Sequence, residues 1–227
     1  MPWIKTGLRA LIPSLTWQPR PRVAAEVARQ GPGAVILDLG AGGRRLGARV
    51  IGVDFLVLPG TRVAADVTRL PFADACADLI VATGLLEHVA DPRAVLGEMR
   101  RVLRPGGNLH VEIPFLQPYH ADPRDFRRYT LEGLQDLVRE HGFQVQDSGV
   151  HIGPTVTLLT VSVYYFSLWF EGGGLAGRVA SNGLFWLLSL LLYPFKFLDY
   201  ALIHKKNAHR LAFGLFCTAV RGPDGKT

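Results

Sequence analysis

The residues best equipped for chemistry gather behind one glycine turn. Val35-Ile36-Leu37-Asp38-Leu39 runs straight into Gly40-Ala41-Gly42-Gly43. Glycine adopts the backbone angles that a tight turn needs, and it lets a ligand approach the main chain closely. Acidic residues then follow short apolar runs, with Asp54 after Ile51-Gly52-Val53 and Asp66 after Ala64-Ala65. The spacing disfavours a dinucleotide fingerprint. That motif wants a third glycine where Arg45 stands, and an acid about 20 positions after the first glycine. Asp54 comes only 14 positions after Gly40. A carboxylate at the tip of a second strand suits the two hydroxyls of a ribose. One beside the loop suits an ammonium, and one after a third strand suits an adenine amino group. A ligand with adenine, ribose and a zwitterionic amino acid, but no phosphate, needs these acceptors and no basic cradle. S-adenosylmethionine is such a ligand. Any one of Asp38, Asp54 and Asp66 is equally a cap or a solvated loop end; three in this order behind this turn point to a site.

A second set of reactive residues lies in the loop Pro114–Thr130, which contains Tyr119, His120, Arg124, Arg127, Arg128 and Tyr129. Ligands of open α/β sheets bind beyond the carboxyl ends of strands, and this loop leaves from one. A connection this long is more often functional than not. His120 has the chemistry of a general base, with His88 and Glu87 as the other candidates. Arg124, Arg127 and Arg128 are suited to grip an anionic group, with Tyr119 and Tyr129 as further substrate contacts. The competing expectation is an ordered surface connection held by Arg–Asp pairs. No His, Cys or carboxylate spacing demands a metal, and no nucleophile elbow is present. Cys76 and Cys217 are too few and too far apart for a disulfide framework, which fits free thiols in a reducing compartment.

The elements that must hold these residues alternate in type. Val35–Leu39, Val50–Val53, Leu79–Ala82 and Leu109–Ile113 read as buried strands. Pro92–Leu103 carries Val95, Leu96, Met99, Val102 and Leu103 on one helical stripe, and Arg104-Pro105-Gly106-Gly107 should stop it. Leu131–His141 reads as another helix, with Thr130 as N-cap and Glu132 in its first turn. Such alternation implies βαβ units and an α/β fold with a mainly parallel sheet.

With those pieces in order, residues 33–150 resemble a class I S-adenosylmethionine-dependent methyltransferase of the type 11-like group. The matching segments are Val35–Gly43, Ile51–Asp54, Ala65–Phe72, Ala77–Val81, Leu86–Pro92 and Arg101–Gly107. The resemblance implies a Rossmann-like, doubly wound sheet of seven strands, mostly parallel with an antiparallel last strand. It also implies that Asp38, Gly40, Ala41 and Gly42 line the methionine tail and that Asp54 takes the ribose. Asp66 with Val67 would meet the adenine edge, Phe55 would be a further cofactor contact, and Leu85 would lie near the sulfonium. Two departures stand out. Arg44 replaces a glycine usual in the family, and the short span from Gly42 to Asp54 leaves the first crossover helix room for about a turn. The expectation is a pocket more open at its methionine end.

The composition divides the chain further. It has 227 residues, 48% hydrophobic and 19% charged, with net charge +6. Mean hydropathy is +0.19. A chain this apolar is not disordered. Ile152–Phe170 and Val179–Phe195 contain no charged residue, and His204–Arg210 is a basic cluster. Phe143–Val150 and Phe213–Val220 read as strands six and seven, so residues 151–212 form an apolar helical insertion between them, expected beside the cofactor face. Tyr164, Tyr165, Trp169, Trp186 and Tyr193 suit a hairpin lying in one leaflet, with the basic cluster on anionic lipid. A spanning hairpin and a protein-packed one are the alternatives; Pro194, Lys196 and Asp199 interrupt the second run.

The expected organisation is an amphipathic segment at 1–22, a methyltransferase core at 23–150, the insertion at 151–212 and a last strand with its tail at 213–227. No secretory signal is read at the start. The expected activity is methylation of an amphipathic, small-molecule or lipid-linked acceptor by an enzyme peripheral or monotopic at the cytoplasmic membrane face. Nucleic acid is not expected as partner, since basic residues do not interleave with aromatics. The rival expectation is a non-catalytic nucleotide-binding or membrane-scaffold module of the same fold.

Overall fold

A computed structural model of the chain describes residues 21–121, 123–170, 172 and 174–223. They form two compact units. One gathers residues 21–115, 119–149 and 215–223, and the other residues 116–118 and 150–214. Residues 1–20 of the expected amphipathic segment lie outside the described part.

The first unit is built on strands β1 (Ile36–Leu39), β2 (Val50–Asp54), β3 (Val63–Ala64), β4 (Ala77–Thr83), β5 (Leu103–Pro114), β6 (Phe143–Ile152) and β7 (Gly214–Arg221). Their order across the sheet is β3-β2-β1-β4-β5-β7-β6. The pairings of β1 to β5 are parallel, and β7 is antiparallel. This is the expected α/β methyltransferase fold. β1 and β4 are buried at every position, as unbroken Val/Ile/Leu runs should be when both faces of a parallel strand are covered. Register places Leu39 beside both Val53 and Ala82, so the carboxyl ends of β1, β2 and β4 reach one edge together.

Helix α1 (Pro21–Arg29) packs Val23 against Ile36, Val50, Leu79 and Val81, with Val27 one turn on. The boundary expected at residue 23 therefore falls inside a helix of the core: Val23 and Val27 share one face, and that face needs the sheet. Helix α2 (Pro92–Val102) is capped by Asp91, which accepts from the N–H groups of Arg93 and Ala94 at 3.0 and 3.2 Å. It ends before Leu103, which opens β5 instead. Arg104–Gly107 belong to β5 rather than to a helix stop, and pairing with β4 jumps there from Ala77–Leu103 to Leu79–Asn108. Helix α3 (Leu131–Glu140) has the expected cap, Thr130 accepting from Gly133 N–H at 3.1 Å. Among the described residues no helix joins β1 to β2. The shortened first crossover is reduced to turns.

Both cysteines are free, Cys76 half-buried and Cys217 buried in β7. Burial pushes the Cys217 thiol up to about 12, and a thiol without thiolate is unreactive. Alkylation of the native protein, read by mass spectrometry, should modify Cys76 and reach Cys217 only on unfolding. Equal native labelling would contradict this.

The second unit contains α4 (Pro154–Leu168), α5 (Gly174–Leu192), a 3₁₀ turn at Tyr193–Leu198, the short α6 (Asp199–Leu202) and a second 3₁₀ turn at Ala208–Leu211. Leu159 and Val163 of α4 pack against Phe185, Leu188, Leu192 and Tyr193. The polar residues that interrupt the apolar run turn inward. Asp199 is buried and caps α4, accepting from Thr155 and Val156 N–H at 2.8 and 3.0 Å. Gly153 leaves room for that carboxylate, since a Cβ there would stand 2.4 Å from Asp199 Cγ. Lys196 is also buried, its ammonium 4.4 Å from the centre of the Tyr193 ring. Large apolar side chains lie outside, including Trp169, Leu187, Leu190, Leu191, Phe195 and Tyr200, together with the exposed Arg178, Asn182, Lys205, Lys206 and Arg210.

Candidate active site

Gly40 and Gly42 both take positive φ, +66° and +54°. At Gly40 space demands glycine as well, because a Cβ would lie 2.9 Å from Leu85 Cδ1; beyond Gly42 nothing lies within 4 Å. The turn is stitched to β2 by Ala41 N–H on Val53 O at 3.1 Å. Asp54, buried at the end of β2, braces it: one carboxylate oxygen accepts from Gly42 N–H at 2.8 Å and the other from Leu56 N–H at 2.9 Å. A carboxylate has about four acceptor positions, so both oxygens keep capacity for a ligand.

Asp38, 1% exposed in its side chain, pairs with the Arg44 guanidinium at 3.0 Å. Arg44 also donates to Gly40 O and Thr83 O, each at 3.1 Å. The methionine end of the pocket, expected to be open, instead holds this guanidinium. A side chain at position 44 reaches back across the turn to three cation acceptors. Where a first crossover helix would cover β1 and β2, a cavity of about 500 Å³ is lined by Asp38, Arg44, Val50, Gly52 and Gly60, among others.

Asp66 stands apart from the other two acids. It is exposed in its own turn, with one oxygen accepting from Thr68 N–H and Oγ1, each at 2.8 Å. Those bonds hold its carboxyl below the usual range. Val67 is half-buried beside it, and Phe55 begins an exposed apolar stretch, Phe55–Leu58, after β2.

A second cluster forms where the 119–130 loop folds onto residues 87–90. Phe126 N–H donates to Glu87 O at 2.8 Å and Arg127 to Ala90 O at 2.6 Å. Glu87, 1% exposed in its side chain, lies 3.7 Å from His88 Nε2 and 4.0 Å from His120 Nε2. Burial raises the Glu87 carboxyl above its ordinary value. Asp125 is held down to about 2, chiefly by its hydrogen bonds from Arg128. Arg127 and Arg128 thus staple the loop, while Arg124 is exposed and lends its carbonyl to His88 Nδ1. Tyr119 is exposed and Tyr129 half-buried. The convergence of Glu87, His88 and His120 was invisible as spacing, because the third member sits 32 positions beyond the second; only the loop's return brings them together.

Comparison with known proteins identifies the family. Residues 30–111 match the family described as methyltransferase domain. A demethylmenaquinone methyltransferase of Mycolicibacterium paratuberculosis is 38% identical over 125 residues, covering 48% of this chain and 54% of that protein. One from Mycobacterium sp. (strain JLS) is 32% identical over 169 residues, covering 67% of this chain and 68% of the relative. The chain belongs to the S-adenosylmethionine-dependent methyltransferases. It spans little more than half the length of the first of these curated relatives. Among solved structures, the methyltransferase resembles the 1,6-didemethyltoxoflavin-N1-methyltransferase of Burkholderia thailandensis, with TM-score 0.55, 21% identity and coverage of 90% and 78%. It resembles the cyclase SpnF equally in TM-score, 0.55, at 20% identity and coverage of 90% and 80%. These structural likenesses bear on fold alone, and the second is a reminder that one fold serves different reactions.

Proposed function

We propose that the chain transfers a methyl group from S-adenosylmethionine to an amphipathic, quinone-like or lipid-linked acceptor at a membrane surface. The donor set fits the cofactor. Asp38, Gly40 O and Thr83 O already hold a multi-donor cation, as a ligand's ammonium requires. Asp54 keeps acceptor capacity for the ribose, and Asp66 and Val67 with the exposed Phe55 would meet the adenine. When bound, S-adenosylmethionine supplies a methyl group on a cationic sulfur. The chain's own part is to align the acceptor and to remove its proton where the acceptor is an alcohol or phenol. Glu87, His88 and His120 are the catalytic residues of that second task, with His120 at the accessible flank. Relatives named for demethylmenaquinone support a quinone-like acceptor.

The observation that carries the membrane part of the reading is the surface of the second unit. Its polar side chains Asp199 and Lys196 are buried, while many large apolar ones, Trp169, Leu187, Leu190, Leu191 and Phe195 among them, face outward. The helical stretch Gly174–Leu202 is long and apolar enough to cross a membrane, and only 6% of its most apolar window is buried. Exposed apolar area on this scale marks a docking or membrane surface. In liposome co-sedimentation the chain should pellet with anionic vesicles. Replacing Leu187, Leu190 and Leu191 together with Ser should release most of it to the supernatant; unchanged pelleting, or none by the parent chain, sinks the tether.

A further inference from the structure

We propose that Glu87, His88 and His120 form a binding site for a divalent transition-metal cation. Each offers one ligand atom, and these atoms lie within 4.8 Å of one another. Four-coordinate cations held by imidazole nitrogen and carboxylate oxygen at about 2.0–2.2 Å keep such donors roughly 3.3–3.4 Å apart. The 3.7 and 4.0 Å gaps between Glu87 Oε1 and the two Nε2 atoms therefore close by small side-chain rotations.

Three further features aim the set inward. Both imidazoles are oriented from behind, as metal-ligating histidines characteristically are. His88 Nδ1 bonds the Arg124 carbonyl, and His120 Nδ1 faces Asp125 Oδ2 at 3.4 Å. Arg128, paired with Asp125 in bidentate fashion, also lies 3.5 Å from the same Nδ1, and ligation through Nε2 requires that Nδ1–H donate to Asp125 instead of accepting from Arg128. Each ring consequently turns its Nε2 to Glu87. Second, Glu87 Oε2 is buried and has no hydrogen-bond partner in the structure. An unsatisfied buried carboxylate oxygen is costly, and a cation removes the cost. Third, Gly84 keeps the space beside the carboxylate open: a Cβ there would meet only Glu87 Oε1, at 3.5 Å.

The Asp125–Arg128 pair cancels its own charge, so the cluster presents one carboxylate and two imidazoles. That set favours Mn²⁺, Fe²⁺, Co²⁺, Ni²⁺ or Zn²⁺ over Mg²⁺ and Ca²⁺, which prefer oxygen ligands alone. His120 is 31% exposed in its side chain, which leaves coordination positions open to solvent or substrate. The functional consequence rests on the methyltransferase reading. A hydroxyl on an open position is acidified; its O–H bond breaks, the proton leaves to water, and the oxygen keeps the electron pair for attack. The two histidines then act as ligands, and the cation stabilises the oxyanion while water takes the proton.

Titration of chelator-stripped protein with Mn²⁺, followed by loss of the free-ion electron paramagnetic resonance signal, tests the site directly. One Mn²⁺ per chain should bind, and equimolar Zn²⁺ should displace it. His120→Ala and Glu87→Gln should each weaken Mn²⁺ binding at least tenfold. His120→Gln, on the same accessible loop, serves if the alanine variant fails to fold. No stoichiometric Mn²⁺ in the parent chain, or equal affinity in folded His120 variants, overturns the site. Calorimetry with S-adenosylmethionine on the same samples separates the two readings. Cofactor binding without Mn²⁺ removes the metal alone, and Mn²⁺ binding without cofactor removes the methyltransferase reading alone.

Discussion

Asp54→Ala should abolish S-adenosylmethionine binding at concentrations that saturate the parent chain, a loss of at least about 100-fold. The expectation has two sources. A hydrogen bond to a charged group contributes about 1.5–3 kcal/mol, and a ribose diol would offer two. The same carboxylate also accepts from Gly42 and Leu56 N–H, so its removal frees the turn that holds Gly42 at positive φ. Losing two charge-assisted bonds at a buried position should lower the melting temperature as well. Binding is therefore measured by calorimetry well below the variant's own melting point. Asp66→Ala provides the contrast. That side chain is exposed and spends one oxygen on Thr68, so its replacement should weaken binding by about tenfold, the low end of one bond to a charged group. If Asp54→Ala bound the cofactor as the parent does, the acidic residues would be turn braces and nothing more.

The turn and strand ends proposed for the cofactor were legible in the sequence as positions, whereas Glu87, His88 and His120 were legible only as separate candidates and not as a cluster. Asp38, Gly40, Gly42 and Asp54 lie where two parallel strands stop, and strand ends are visible as apolar runs that break at Gly or Asp. Their spacing follows from strand length and turn geometry, both local quantities. That β1 and β4 lie inside the sheet is similarly legible, since a Val/Ile/Leu run buried on both faces demands such a place. Glu87, His88 and His120 are another matter. Their meeting depends on the loop 119–130 returning over residues 87–90, held by backbone bonds from Phe126 and Arg127, and no periodicity encodes such a return. The arginines were ambiguous for a related reason. A guanidinium reads as an anion clamp in sequence, but Arg127 and Arg128 are spent on Ala90 O and Asp125. Helix α1 was missed because the buried Val23 and half-buried Val27 give only two apolar positions against the sheet, too few to set a period. Inward-turned Asp199 and Lys196 show the converse error. Polar residues within an apolar run suggest an interrupted surface, whereas here one caps a helix and the other sits on an aromatic ring.

Arg44 leads to the second large effect. Removing one partner of a buried ion pair costs about 3–5 kcal/mol, because the remaining charge is stranded. Arg44 is 29% exposed and Asp38 1%, so solvent relieves part of this, and about 2–3 kcal/mol is the expected loss in Arg44→Ala. For a chain of this size each kcal/mol is worth about 2–4 °C, which sets the fall in melting temperature of the cofactor-free variant at roughly 4–12 °C. The same change vacates Asp38, Gly40 O and Thr83 O, the acceptors assigned to the cofactor's ammonium. In the parent chain that ammonium must displace a guanidinium; in the variant it meets Asp38 without that competitor and replaces the lost pair. The thermal shift on adding S-adenosylmethionine should therefore be larger in Arg44→Ala than in the parent, with affinity raised about tenfold for each 1.4 kcal/mol of competition removed. 5′-Methylthioadenosine, which has the nucleoside and sulfur but no ammonium, should bind both proteins alike. A smaller shift in the variant would mean that Arg44 holds the cofactor's carboxylate instead of standing in for its ammonium. Equal gains for both ligands would mean that the guanidinium blocks the nucleoside and not the amino-acid end.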